Sequence, residues 1–199
     1  MTATVVIKVG GSLLAWPGLP EALKRLLETE RDGRAVLVVG GGGMVDVLRT
    51  LDSIHGIGEN QSHALALRVM DVTAALVAGL VPGLQLALWP DELRNAWQAG
   101  AVPVLAPRVF LESVDGREED ALPETWSTTS DSIAARMACL LGATRLILLK
   151  STAPAAPIGR EEAARQGLVD PVFPRAARGL RSVVVVNLRA SPPDTVELF

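Results

Sequence analysis

A lysine inside an apolar, β-branched run needs an anion nearby, because an unpaired ammonium in low-dielectric surroundings is costly. Lys8 stands in such a run, Thr4-Val-Val-Ile-Lys-Val9, two residues before Gly10-Gly11-Ser12. A second glycine cluster, Gly40-Gly41-Gly42-Gly43, directly follows the apolar run Ala35-Val-Leu-Val-Val39. Glycine lets the backbone come close to a ligand, and N–H groups at a strand-to-helix turn favour anionic oxygens. Both clusters therefore suit phosphate. A tight turn would explain a single Gly-Gly pair, but four consecutive glycines are expensive to order and argue for close backbone approach. Neither cluster is a Walker A loop, since Gly-Lys-Ser/Thr at the required spacing is missing.

A third constellation, Trp126-Ser-Thr-Thr-Ser-Asp131-Ser-Ile-Ala-Ala135, combines hydroxyls with one carboxylate at the start of a helical pattern. Read alone it is an ordinary helix cap. Beside two phosphate-sized loops it suits phosphoryl transfer, which needs positive charge on the moving group, Mg²⁺ on the nucleotide and a carboxylate to organise them. Asp131 fits that last role. The chain uses 16 arginines but only three lysines, Lys8, Lys24 and Lys150. Lys24 belongs to an amphipathic helix, whereas Lys8 interrupts and Lys150 closes a hydrophobic strand. Snorkelling to a sheet edge is the competing explanation for either.

The elements that must position these residues alternate. Strands are expected at 4–9, 35–39, 84–88, 102–105, 145–149 and, last, 182–187; helices at 19–30, 44–51, 61–78, 91–98, 130–141 and 161–166. Asp32-Gly33 breaks the first helix, and His55 lies in a glycine-bounded loop. Residues 112–123 read as an exposed hairpin or loop, and 151–159 as loop. The alternation predicts an α/β fold: a three-layer αβα sandwich with a mainly parallel central sheet. In such sheets ligands bind beyond the carboxyl ends of the strands, where both glycine clusters fall.

Composition narrows the class. The 199 residues suit one compact domain, 49% of them are hydrophobic and 21% charged, and the net charge of −3 offers nucleic acid no general attraction. No signal peptide and no membrane span is expected, which predicts a cytoplasmic protein. The single cysteine, Cys139, excludes an internal disulfide and a cysteine-rich metal cluster, and no protein metal ligands are assigned.

Taken in order, Lys8-Val-Gly-Gly-Ser12, Gly40 to Gly43 and Thr129-Ser-Asp131-Ser-Ile-Ala-Ala135 resemble the amino acid kinase family over about residues 4–150. The resemblance implies Mg²⁺ and ATP, and phosphorylation of a carboxylate, carbamate or phosphate. It places an acceptor-binding part at about 1–110 and a nucleotide-binding part at about 124–199. By position, Lys8 and Asp131 would be catalytic, the first on the transferred phosphoryl group and the second orienting the cations. Gly10, Gly11, Ser12, Ser130, Lys150 and Asp170 would face the nucleotide, with a surface role equally open for Lys150. Gly40, Gly41, Gly42 and Gly43 would hold the acceptor.

The sequence departs from the larger members after Lys150, where Ser151-Thr-Ala-Pro-Ala-Ala-Pro157 replaces an Asp-Gly turn. Ser62-His63-Ala-Leu-Ala-Leu-Arg-Val-Met-Asp71, Leu149-Lys-Ser and Gly167-Leu-Val-Asp170 are most similar to the small kinases of methanofuran and tetrahydromethanopterin-linked one-carbon metabolism. These imply conversion of (5-(aminomethyl)furan-3-yl)methyl phosphate to its diphosphate. Asp46 or Asp71 would then pair with the amine and His63 touch the acceptor, although such carboxylates are more often solvated helix charges and a hydrogen-bonded structural histidine explains His63 at least as well. A kinase for a nucleotide, isopentenyl phosphate or amino acid, or a non-catalytic nucleotide-binding protein, are the alternatives. The family also suggests a homodimer.

Overall fold

The computed structural model describes residues 3–30, 34–115 and 121–199. Asp32-Gly33 and part of the expected 112–123 loop lie outside them. β1 (Thr4–Val9), β2 (Arg34–Val39), β3 (Leu84–Ala87), β4 (Val102–Leu105), β5 (Arg145–Lys150), β6 (Ser182–Asn187) and β7 (Asp194–Glu197) form one sheet. Its order is β3-β4-β2-β1-β5-β6-β7, parallel throughout except for the antiparallel pair β6–β7. The helices are α1 (Leu19–Thr29), α2 (Gly43–His55), α3 (Glu59–Leu80), α4 (Pro90–Gln98), α5 (Pro107–Ser113), α6 (Ser130–Leu140), α7 (Arg160–Arg165) and α8 (Phe173–Ala176).

The three central strands carry near-continuous apolar runs because both their faces are covered. Val5, Ile7 and Val9 of β1 and Ile147 and Leu149 of β5 pack with α1 and the second half of α3. Val6 of β1, Val36 and Val38 of β2, and Leu146 and Leu148 of β5 pack with α5, α6 and α8. Period-two alternation then decides which face the residues at the strand ends take. Lys8, Gly40 and Lys150 extend the second series, so they meet the α6 side of the sheet. Register completes the arrangement: Val9 pairs with Val39 on one flank and Leu149 on the other. Gly10, Gly40 and Lys150 consequently leave the sheet at one level, tied by Gly10 N–H to the Leu149 carbonyl at 2.8 Å and Gly40 N–H to the Val9 carbonyl at 2.9 Å.

Four expectations need correction. Ser182–Asn187 is not the last strand, for β7 adds an antiparallel edge; its four residues are largely exposed and carry no apolar run. Glu112 belongs to α5, whose start is set by Pro107 in the first turn. His55 ends α2 rather than sitting in a loop, and Gly56 closes that helix in the left-handed conformation at φ +62°. The four-residue α8 adds a helix where none is expected. By length and hydropathy α3 alone among the described helices would suffice to cross a membrane. In this fold Leu67, Met70, Thr73, Ala74 and Val77 bury one of its faces in the core.

Candidate active site

Lys8 and Lys150, from adjacent strands, both point at Asp131 in the first turn of α6. Lys8 Nζ lies 2.8 Å from Asp131 Oδ1 and Lys150 Nζ 2.8 Å from Oδ2. Lys150 donates a hydrogen bond to Oδ2, and Lys8 faces Oδ1 as an ion pair. All three groups are mostly enclosed, with side-chain exposures of 5%, 16% and 8% for Lys8, Lys150 and Asp131. Burial opposes ionisation of Asp131, but the two ammonium groups outweigh it and hold the carboxyl below the usual range. Burial pulls the Lys150 pKa down, Asp131 opposes that, and Lys8 adds repulsion. Two cations against one anion leave a net positive charge at the mouth of the sheet.

That charge opens into a cleft of about 420 Å³ lined by Lys8, Gly10, Gly11, Ser12, Lys150 and the 151–154 and 166–168 loops. Ser12 Oγ and Ser151 Oγ approach to 3.4 Å across it. On the other side lies a smaller cavity of about 180 Å³, lined by Gly41, Gly42, Val45, Asp46, Arg49, His63, Leu67, Met70, Trp126, Thr128, Ser130 and Ile133 among others. Between them the two glycine loops touch backbone to backbone. A Cβ on Gly11 would sit 2.3 Å from the Gly42 nitrogen, and one on Gly42, whose φ is +56°, 2.6 Å from the Gly11 carbonyl oxygen. A Cβ on Gly40 would meet Ser130 Oγ at 2.7 Å. Close packing of one loop on the other thus explains several glycines before any ligand does. Gly43 differs: a Cβ there would meet open space.

Other expected site residues are placed differently. Ser130 lines the smaller cavity and not the cleft beside Lys8 and Lys150. Asp170 is buried and fully engaged inside the protein. Its Oδ2 accepts from Thr129 N and Oγ1 and Ser132 N, and its Oδ1 from Ser132 Oγ, Val172 N and Phe173 N. This carboxylate caps the start of α6, the helix that carries Asp131, from the 170–173 turn, and it lines neither cavity. Asp71 accepts from the Arg108 backbone N–H at 3.2 Å and from its Nε at 3.0 Å, away from the cavity-lining residues. Asp46 does line the cavity. His63 is buried there, and burial lowers its pKa.

Sequence reasoning missed Arg49, Asp52 and the role of Trp126. Trp126 Nε1 donates to Asp52 Oδ2 at 2.6 Å, Asp52 Oδ1 accepts from Gly58 N–H at 2.9 Å, and the Arg49 guanidinium lies over the Trp126 ring, 4.6 Å from its centroid. Arg49 and Asp52 share α2, one turn apart, but only the fold brings Trp126 to them. The nearest sequence signal was the tryptophan opening the hydroxyl-rich constellation.

A parallel α/β sheet whose central strand ends deliver two lysines, one buried carboxylate and two apposed glycine loops defines a phosphate-handling site. The Amino acid kinase family matches residues 3–153, and the chain belongs to that family. A curated relative, the (5-(aminomethyl)furan-3-yl)methyl phosphate kinase of Methanocaldococcus jannaschii, is 29% identical over 147 residues, 72% of this chain. The match spans 63% of that relative's length. Among solved structures, UMP kinase from Ureaplasma parvum superposes with a TM-score of 0.67 at 14% identity, covering 100% of this chain and 99% of the other. Aspartate kinase from Synechocystis gives 0.68 at 19% identity, covering 99% of this chain and 40% of the other. These two likenesses show the shared fold.

Proposed function

We propose that the chain is an ATP-dependent phosphotransferase that extends a small phosphate monoester, (5-(aminomethyl)furan-3-yl)methyl phosphate by the relative's example, to a diphosphate. The observation carrying this reading is the pair of lysines sharing one buried carboxylate between two cavities. Lys8, held at the strand end by its ion pair with Asp131, would stabilise charge on the phosphoryl group in transit. Asp131 holds both ammonium groups aimed at one place. The 420 Å³ cleft takes the ATP phosphates on Gly10, Gly11, Ser12 and Lys150. An oxygen of the acceptor phosphate attacks the γ-phosphorus, the bond to the β,γ-bridging oxygen breaks, and ADP leaves. At neutral pH that acceptor oxygen is already ionised, phosphate monoesters having a second pKa of about 6. No general base is needed.

Among the described residues no group of three or more His, Cys, Asp or Glu could hold a metal ion. Mg²⁺ would therefore arrive on the ATP phosphates, where it neutralises their oxygens. Asp46 makes no ion pair among the described residues and faces the smaller cavity, so we assign it the acceptor's ammonium. We also infer self-association through α2, whose Met44, Val47, Leu51 and Ile54 form an outer apolar stripe exposed by 43%, 61%, 41% and 66%.

The test is ATP consumption with Mg²⁺ against the furan phosphate, UMP, isopentenyl phosphate and N-acetylglutamate, with products identified by mass. Furan diphosphate supports the full reading. Turnover of another member keeps the phosphotransferase and replaces the acceptor. ATP binding without transfer to any acceptor supports a nucleotide-binding regulator instead.

A further inference from the structure

The smaller cavity contains a cation that no described carboxylate claims. Arg49 lines it, on the second turn of α2, with no ion-pair partner among the described residues. Asp46, three residues earlier on the same helix, lines the same cavity, yet the two form no ion pair. A cavity of about 180 Å³ thus presents one unpaired positive and one unpaired negative group around an apolar wall of Val45, Leu67, Met70 and Ile133. Such a site fits a small zwitterion, one end anionic, the other cationic, with a compact apolar body.

We propose that Arg49 is the clamp for the acceptor's phosphate and that Trp126 and Asp52 position it. This rests on the reading of the cavity as the acceptor site. Arg49 lines the same cavity as Gly41 and Gly42 of the glycine loop that opens α2, and helical side chains lean toward the N-terminus, the end where that loop lies. A guanidinium matches phosphate with parallel N–H donors, which the glycine backbone alone cannot supply with charge. Its flexibility would be the usual cost, but the Trp126 ring 4.6 Å away gives it a flat support. The ring is itself fixed by its N–H on Asp52, and Asp52 by the Gly58 N–H. Asp52 is spent on Trp126 rather than on Arg49, which keeps the guanidinium available. The Trp126 bond is also the first reason the Asp52 carboxyl stays below its ordinary pKa, so this support holds throughout the neutral range.

The clamp predicts discrimination by the phosphate itself. Binding is measured by calorimetry for the furan phosphate ester and for its alcohol, the same molecule without phosphate, on wild type, Arg49→Gln, Arg49→Lys and Trp126→Phe. Arg49→Gln is expected to weaken the ester about tenfold or more, the range for a charge-assisted hydrogen bond, and to leave the alcohol within about twofold. Arg49→Lys should recover part of the loss by keeping the charge without the fork. Trp126→Phe keeps a ring under the guanidinium but drops the bond to Asp52, and should fall between wild type and Arg49→Gln for the ester alone. Equal losses for ester and alcohol, or unchanged ester binding in Arg49→Gln, overturn the clamp. Turnover by wild type together with unchanged ester binding in Arg49→Gln rejects the clamp and keeps the phosphotransferase. Phosphate-selective loss without any wild-type turnover keeps the clamp and rejects the phosphotransferase. Absence of ester binding by wild type rejects the clamp and the furan acceptor together, and turnover across the acceptor panel then decides the phosphotransferase on its own.

Discussion

Asp131, Lys150 and His63 titrate as their burial and their neighbours dictate. Lys8→Ala is expected to lower kcat by about 10²-fold or more, the usual cost of removing a donor aimed at developing charge, with a much smaller effect on the ATP KM. Steady-state kinetics with whichever acceptor the wild type turns over checks it, and unchanged kcat would remove Lys8 from the chemistry. His63 gives a pH prediction. Its folded pKa lies below the ordinary 6.5 because it is buried. As pH falls through that value the unfolded chain takes up the proton first, so stability is lost from there down to the folded pKa. Wild type should lose melting temperature relative to His63→Asn across that acidic window, and parallel curves would refute the linkage. The catalytic candidates were legible in the sequence because a lysine in an apolar strand contradicts its surroundings. Arg49 was not, because an arginine on an amphipathic helix looks like every other solvated charge until Trp126 is seen beneath it.

Helix α6 and its support show how elements carry the site. Asp170 accepts from six donors contributed by the start of α6 and by its own turn. Asp170→Asn turns one acceptor oxygen into a donor facing donors, and should cost about 2–4 kcal/mol of stability by leaving buried groups unpaired. Urea unfolding measures it; a loss below about 0.5 kcal/mol would show that the cap is dispensable. Gly11 and Gly43 make a matched pair. Gly11→Ala forces the two loops apart and should destabilise by about 1–3 kcal/mol as an overpacked contact. Gly43→Ala meets open space and should hold or raise the melting temperature, since alanine is the better helix former by about 1 kcal/mol. If the acceptor approaches Gly43, only its KM should rise. Element type was readable from the apolar runs, as β1, β2 and β5 show. β7 and α8 were not, since four residues on an edge or in a single turn carry too little periodicity.

For the whole molecule, the outer stripe on α2 sets the expected assembly. Val47→Glu with Ile54→Glu places charge in the middle of that stripe and should convert a dimer into a monomer in light scattering. A monomeric wild type would refute self-association. The three-layer architecture was legible as a whole because alternation of strands and helices with glycine-rich strand ends leaves few other topologies. The partition of the site into two cavities was not, because it depends on how Gly11 and Gly42 meet across neighbouring strands.

That meeting has a thermodynamic corollary. Two loops in backbone contact, with no side chain between them to absorb a displacement, cannot adjust independently. On the proposed assignment of one substrate to each loop, a displacement of one loop is expected to be felt at the other, and linkage requires the effect to be mutual. The factor by which saturating acceptor changes the dissociation constant of a non-hydrolysable ATP analogue must equal the factor by which that analogue changes the acceptor's. In Gly11→Ala that shared factor should change, because the joint that transmits it has been prised open.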